Sequence, residues 1–304
     1  MLLYHFLNVG KGNCTIIEFP SRNLSVIDID NSKSLSSREL MKIVLEKRAT
    51  PSNPIEYITS NFDYQDIFRF ILTHPDMDHL SGIKELFDLK NIYNFWDAKN
   101  NKNISSDDWD NSPYSKEDWD FYQEMKNKEE CPKYLNLYRG SKSDCCWVQD
   151  GIEILSPNQE LINHSEETEE YDNLSYVLMI EYQSIKAIIP GDATILALNN
   201  IIENYDEDML KADILLAPGH GSKNHVCKDF LDIVKPRLTI VSVAEGVDYD
   251  LETYKKYGRV LSTKHYGNVK VKIKNNGEIT FRTQFQNYGD NWYILKDRGS
   301  YYGV

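Results

Sequence analysis

Three largely apolar, strand-like runs in this chain each end in a loop that carries acids or histidines. Phe68–Leu72 passes into Thr73-His74-Pro75-Asp76-Met77-Asp78-His79. Ile185–Ile189 passes into Pro190-Gly191-Asp192, and Ile214–Ala217 into Pro218-Gly219-His220-Gly221-Ser222. Short apolar runs bounded by Gly and Pro are consistent with buried strands. Further strands are expected at Leu2–Val9, Cys14–Phe19, Leu24–Ile29, Ile152–Leu155, Tyr176–Tyr182 and Leu238–Val243, and through Arg259–Phe281. Helices are expected at Ser37–Lys47, Leu80–Leu89, Ser115–Glu130, Ala193–Tyr205, Lys228–Val234 and Asp250–Tyr257. Two β-rich blocks with helices dispersed among them predict an α/β chain of stacked sheets flanked by helices, rather than a pure β-sandwich.

The stretch from about 90 to 147 has a different texture. It is dense in Asp and Glu and carries Trp96, Trp109, Trp119 and Trp147. It reads as an acidic, Trp-rich insertion in a single domain spanning 1–304, packed on that domain by its aromatics and available to a protein partner.

Composition removes several classes of function. Mean hydropathy is −0.53, and no apolar run approaches the roughly 20 residues of a spanning helix; no membrane role is expected. The N-terminus has no basic, apolar and small-residue leader pattern. Five cysteines, Cys14, Cys131, Cys145, Cys146 and Cys227, are an odd set without framework spacing. They suit a reducing, cytoplasmic setting better than a disulfide scaffold. With 34 Lys and Arg against 47 Asp and Glu, the formal charge is −13. Such a chain does not coat polyanions indiscriminately, so contact with nucleic acid has to be local or carried by bound cations.

The His74–His79 run places four ligand-type side chains within six residues, at the mouth of a strand. Imidazole and carboxylate at alternate positions suit Zn²⁺ or Mn²⁺. An irregular loop can turn all four into one cavity. Gly191-Asp192 and His220 add one such residue each, again at strand ends.

Taken together, these residues resemble the metallo-β-lactamase superfamily, and within it the branch of the ComEC C-terminal nuclease domain. Asn8-Val9-Gly10-Lys11-Gly12-Asn13 is similar to that branch's DVGQGD opening and Val26-Ile27-Asp28 to its LIDxG strand. His74–His79 matches HxDxDH, Asp172-Asn173-Leu174-Ser175 its Asn/Ser motif, and Gly191-Asp192 and His220-Gly221-Ser222-Lys223 its GD and HGSK motifs. The resemblance implies a metallo-β-lactamase-like αββα sandwich, two mixed sheets flanked by helices, with two divalent metal ions (Zn²⁺ or Mn²⁺, with Mg²⁺ admissible). It assigns His74 and Asp76 to one ion, Asp78, His79 and His220 to the other, and Asp192 to both. The catalytic set is then Asp78, His79 and Asp192. Asn173, a candidate to bind substrate, stands where most of the superfamily has a further His, and Gly219 and Asn8 replace His and Asp of the branch. The oxygen-rich set shifts preference toward Mn²⁺ or Mg²⁺.

The chemistry implied is hydrolysis by a two-metal-activated hydroxide, most readily of a phosphodiester, which makes DNA or RNA the expected substrate. Ser222 and Lys223 would bind substrate beside His220, with His225 a further proton donor. One feature of charge is independent of family. Between Lys142 and Lys186 the chain has ten acids and no Lys or Arg, whereas between Glu252 and Glu278 it has no acid and seven Lys or Arg. Lys270, Lys272 and Lys274 share one strand face and offer a substrate-binding strip for a polyanion. Two other functions remain open: a metallohydrolase of a small ester, lactone or phosphodiester, and a non-enzymatic partner-binding subunit of a multi-protein defence system.

Overall fold

The computed structural model describes residues 1–31, 41–43, 45–46, 48–109, 112–128, 131–141, 147–243, 247–285, 291–296 and 301–303. Most of the helix expected over 37–47, together with Cys145 and Cys146, lies outside them.

The chain first lays down β1 (Leu2–Phe6), β2 (Thr15–Glu18), β3 (Leu24–Ile27), β4 (Ile67–Ile71), β5 (Ile92–Asp97) and β6 (Lys133–Asn136). It then builds a second sheet from β7 (Ile152–Ser156), β8 (Val177–Tyr182), β9 (Ile185–Ile189), β10 (Ile214–Leu216), β11 (Leu238–Val241) and β12 (Arg259–Ser262). It returns to the first sheet with β13 (Val269–Ile273), β14 (Ile279–Thr283), β15 (Tyr293–Leu295) and β16 (Tyr301–Gly303). The first sheet has the order β16-β15-β14-β13-β1-β2-β3-β4-β5-β6, and the second β12-β11-β10-β9-β8-β7. Each is mixed. Strands β3 to β6 run parallel, as do β9 to β12, and the remaining pairs are antiparallel.

Alternation of side chains explains the layering. Along β8, Leu178 and Ile180 face the core between the sheets, while Val177 and Met179 face outward onto helices. Along β13, Val269, Val271 and Ile273 face the same inter-sheet core, so Lys270 and Lys272 stand on the opposite face. The helices Pro54–Asn61, Ile83–Leu89 and Lys116–Met125 cover the outer face of β2 to β5. The helices Ile195–Asn204, Lys228–Val234 and Leu251–Lys255 cover the second sheet. The result is two mixed sheets with helices outside both. Among the described residues no helix is long and apolar enough to cross a membrane.

The acidic stretch read as an insertion is partly sheet. It contains β5 and β6, which continue the parallel half of the first sheet. Trp96, Trp119 and Trp147 are buried in the cores and Trp109 is partly so. Strands β3, β4, β9, β10 and β11 all deliver their C-terminal ends to one end of the molecule, where ligand sites of α/β sheets commonly lie.

Candidate metal centre

Three loops meet at this end. The loop after β4 and the short helix Met77–Leu80 bring His74, Asp76, Asp78 and His79. The loop after β9 brings Asp192, and the one after β10 brings His220. Their ligand atoms interlock. His79 Nε2 is 3.4 Å from Asp192 Oδ1, His220 Nε2 is 3.2 Å from Asp192 Oδ2, and His220 Nε2 is 3.4 Å from Asp78 Oδ2. His74 Nε2 is 3.9 Å from Asp76 Oδ1 and 3.6 Å from Asp172 Oδ1. Three overlapping groups, His74/His79/Asp192, Asp78/His79/His220 and His74/Asp76/Asp172, each hold their ligand atoms within 4.8 Å of one another.

Local backbone makes this possible. His220 sits in the left-handed region (φ 56°) between Gly219 and Gly221, both also at positive φ. That turn aims the imidazole back at the cluster and is easiest beside glycines. Gly12, from the opening loop, is packed so closely that a Cβ would stand 1.6 Å from Asp78 O. Its N–H donates to Asp30 Oδ2 at 2.8 Å, and Asn13 N donates to Asp78 O at 3.3 Å. The Asn8–Asn13 motif therefore acts as a backbone brace beneath Asp78.

The imidazoles are held from behind. His79 Nδ1 donates to Asp28 Oδ2 at 2.8 Å, and Asp28 also accepts from Thr73 N at 2.7 Å and Thr73 Oγ1 at 2.8 Å. His220 Nδ1 donates to Ser242 O at 3.1 Å. In each case the tautomer leaves Nε2 facing the centre. Outer partners of this kind fix the orientation of metal-binding histidines.

Electrostatics couple the groups strongly. Burial opposes charge on His220, but Asp192 and Asp78 outweigh it and push its pKa up to about 10. The fully buried His79 is likewise held well above the ordinary imidazole range by Asp192, Asp28 and Asp78. Against their own burial, His79 and His220 hold Asp78 down to about 2, and His220 and His79 hold Asp192 well below the carboxylate range.

The donor set fits a divalent cation on an observation specific to this chain. His79 Nε2, His220 Nε2 and Asp192 Oδ1 are buried and have no hydrogen-bond partner. Leaving such atoms unpaired in a protein interior is costly. All three face one another, and a cation would satisfy them together.

Several predicted positions look different in three dimensions. Asn173 does not face the cluster: it is buried, with Oδ1 accepting from Thr194 Oγ1 and Nδ2 donating to Glu170 Oε2 at 3.3 Å. Its neighbour Asp172 takes that place, facing His74. Both lie in the 3₁₀ turn Tyr171–Leu174, where successive side chains point about 120° apart, so only one of the two adjacent residues faces His74. The His that the branch has at 219 is absent, but the imidazole of His225 fills that space: a Cβ on Gly219 would lie 2.3 Å from its ring. His225 Nε2 is 3.5 Å from Asp172 Oδ2. Ser222 lies at the rim, its Oγ accepting from Asn224 N, and Lys223 pairs with Asp248 at 3.0 Å. Lys270 and Lys272 are on the outer face of the first sheet. Their ammonium groups lie over the rings of Tyr57 and Trp292 at 5.5 and 3.9 Å, in a patch with Glu18 and Arg282. Asp28 and Asp172 were missed as site residues, although both stand in motifs read from the sequence.

No protein-family model and no curated protein matches the chain. Solved structures do. A metallo hydrolase from the hyperthermophilic archaeon Ignicoccus hospitalis superposes with a TM-score of 0.51 at 12% identity, covering 90% of this chain and 100% of that one. The metallo-β-lactamase fold protein YhfI from Bacillus subtilis gives 0.46 at 12% identity, over 89% and 100%. A long-form RNase Z from yeast gives 0.40 at 12%, over 88% of this chain and 41% of that one. At such identities the likeness concerns fold. With the strand order, it gives the fold as an αββα sandwich of two mixed sheets flanked by helices, the metallo-β-lactamase-like arrangement.

Proposed function

We propose that this protein is a metal-dependent hydrolase that cleaves phosphodiesters, with nucleic acid as the substrate class. The observation that carries the reading is the convergence of His74, Asp76, Asp78, His79, Asp172, Asp192 and His220, with three buried ligand atoms left without partners. His74, Asp76 and Asp172 would hold one divalent ion, Asp78, His79 and His220 another, and Asp192 would stand between them. Four carboxylates beside three imidazoles favour Mn²⁺ over Zn²⁺ on hardness. Bound there, such ions would supply Lewis acidity, lowering the pKa of water and clamping phosphoryl oxygens.

The chain's own groups do the rest. Asp28 and Ser242 O lock the tautomers of His79 and His220. Asp192, buried and held anionic, keeps a negative charge in place at neutral pH. His225, paired with Asp172 at the edge of the cleft, is positioned to hold a proton on Nε2 for a leaving oxygen. The cleft's acidic wall, Glu169 and Glu170, favours a second substrate class, a small phosphodiester rather than a polymer. Lys270 and Lys272, being on the outer sheet face, would serve a long polyanion only away from the reacting bond.

The test is cleavage of plasmid and single-stranded DNA by metal-loaded protein, with bis-p-nitrophenyl phosphate and a lactone in parallel. DNA cleavage that disappears in Asp78→Ala and His79→Ala is expected. Turnover of the small diester with no DNA cleavage selects the second class. Turnover of the lactone alone overturns both phosphodiester readings.

A further inference from the structure

Lys102 reaches the cluster from the loop that follows β5. Its Nζ hydrogen-bonds Asp76 Oδ1 and lies 5.2 Å from the centre of the Tyr171 ring, which seats the long side chain over the cleft. That cleft, about 430 Å³, is lined by Asp76, Lys102, Tyr171, Asp172, Asn224 and His225. Lys223, the cation next to His220 in sequence, is already engaged by Asp248.

Charge counting gives this ammonium a role. Asp76, Asp78, Asp172 and Asp192 bring four negative charges, which two divalent ions would cancel. The loaded centre is then close to neutral, and Glu169 and Glu170 leave its surroundings negative. A phosphodiester monoanion entering there needs a positive group not consumed by the ligand carboxylates. Lys102 is engaged by Asp76 here; an ion held by Asp76 would draw the carboxylate's charge toward itself and would loosen its hold on the ammonium. A lysine ammonium is a compact, mobile point charge suited to a phosphoryl oxygen.

We propose that Lys102 is the substrate-anion contact of this site, an ammonium stored on Asp76 in the metal-free chain and turned to a non-bridging phosphoryl oxygen in the loaded one. The assignment rests on the metal-dependent phosphodiesterase reading above and names the residue that recognises its anionic substrate. Lys102→Met, Lys102→Arg and Lys211→Met would be loaded with Mn²⁺. Metal content would be measured by elemental analysis, inorganic phosphate affinity by calorimetry, and kinetics with bis-p-nitrophenyl phosphate. In Lys102→Met, phosphate affinity falls and KM rises by about tenfold, with kcat nearly constant and Mn²⁺ content unchanged. Lys102→Arg keeps most of the affinity, and Lys211→Met, which removes a surface lysine paired with Asp208 at the far end of β10, matches the parent. Unchanged phosphate affinity and KM in Lys102→Met overturn the proposal. So does loss of Mn²⁺ in that variant, which would make Lys102 a support for Asp76. If the parent turns over no phosphodiester with any metal, yet its phosphate binding still depends on Lys102, the phosphodiesterase reading fails and the anion contact stands.

Discussion

Asp172 and Asn173 are neighbours in one tight turn, and the site distinguishes them. The carboxylate of Asp172 lies 3.6 Å from His74 Nε2, while Asn173 is buried against Thr194 and Glu170. Asp172→Ala is therefore expected to lower the affinity of the His74/Asp76 position by about ten- to a hundredfold, the usual range for losing a supporting or ligating partner. Asn173→Ala is expected to leave metal binding nearly intact and to lower thermal stability instead. Metal titration of both variants separates the two. Protonation supplies a second expectation at this scale. In the metal-free chain Asp192 and Asp78 raise the pKa of His220 to about 10, and the same carboxylates with Asp28 raise that of His79, so the pair of rings holds an extra proton at neutral pH. A ligand imidazole must be neutral, so metal uptake expels protons and apparent affinity rises with pH. Calorimetry in buffers of differing ionisation enthalpy would reveal the released protons. Binding without proton release would contradict the electrostatics of the pair.

Among the elements, Asp97 at the end of β5 gathers the segment between β5 and β6 onto the sheet. Its Oδ2 accepts from Tyr122 Oη at 2.7 Å and Tyr134 Oη at 2.6 Å. It thereby ties the helix Lys116–Met125 and β6 to the strand whose following loop carries Lys102. Burial pushes its pKa up to about 6, against the pull of the two phenols. The folded value lies above the unfolded one, so the folded state favours the neutral acid. That contribution to stability is fully present below about pH 4 and is lost as pH rises through about 6, a change of order 2–3 kcal/mol. Asp97→Asn is expected to flatten this part of a urea-unfolding profile measured from pH 4 to 7; an unchanged slope would show that the carboxyl is not the titrating group. At this scale much of the fold was legible in the sequence. Largely apolar runs such as Ile214–Ala217 located the buried strands, and the loops after them located six of the ligand-type residues. The helices Pro54–Asn61 and Gln159–Thr168 were not read. Their Asn caps at 53 and 158 are good local signals, but each helix is short and carries few apolar positions for a period to register. The direction of Asp172, the filling of the Gly219 gap by His225 and the outward face of Lys270 depend on contacts between distant segments. Local spacing does not encode them.

For the whole molecule, the two sheets repeat one plan, an antiparallel half joined to a parallel half. Their parallel halves jointly aim the ligand-bearing loops at a single end. The site exists only when both sheets are docked, so ion binding and folding are linked. At a free ion concentration a hundred times Kd, the linkage is worth about 2.7 kcal/mol, or roughly 5 °C in thermal midpoint for a chain of this size. Differential scanning calorimetry with and without chelator checks this, and coincident midpoints would contradict it. The central claim, that the His/Asp cluster holds divalent ions, is tested most directly by elemental analysis of protein reconstituted with Mn²⁺ or Zn²⁺ and freed of excess. The account predicts about two ions per chain, as in two-metal hydrolytic sites, falling sharply in Asp192→Ala and His220→Ala that remain folded. A chain that emerges without metal, or variants that retain as much as the parent, would contradict it.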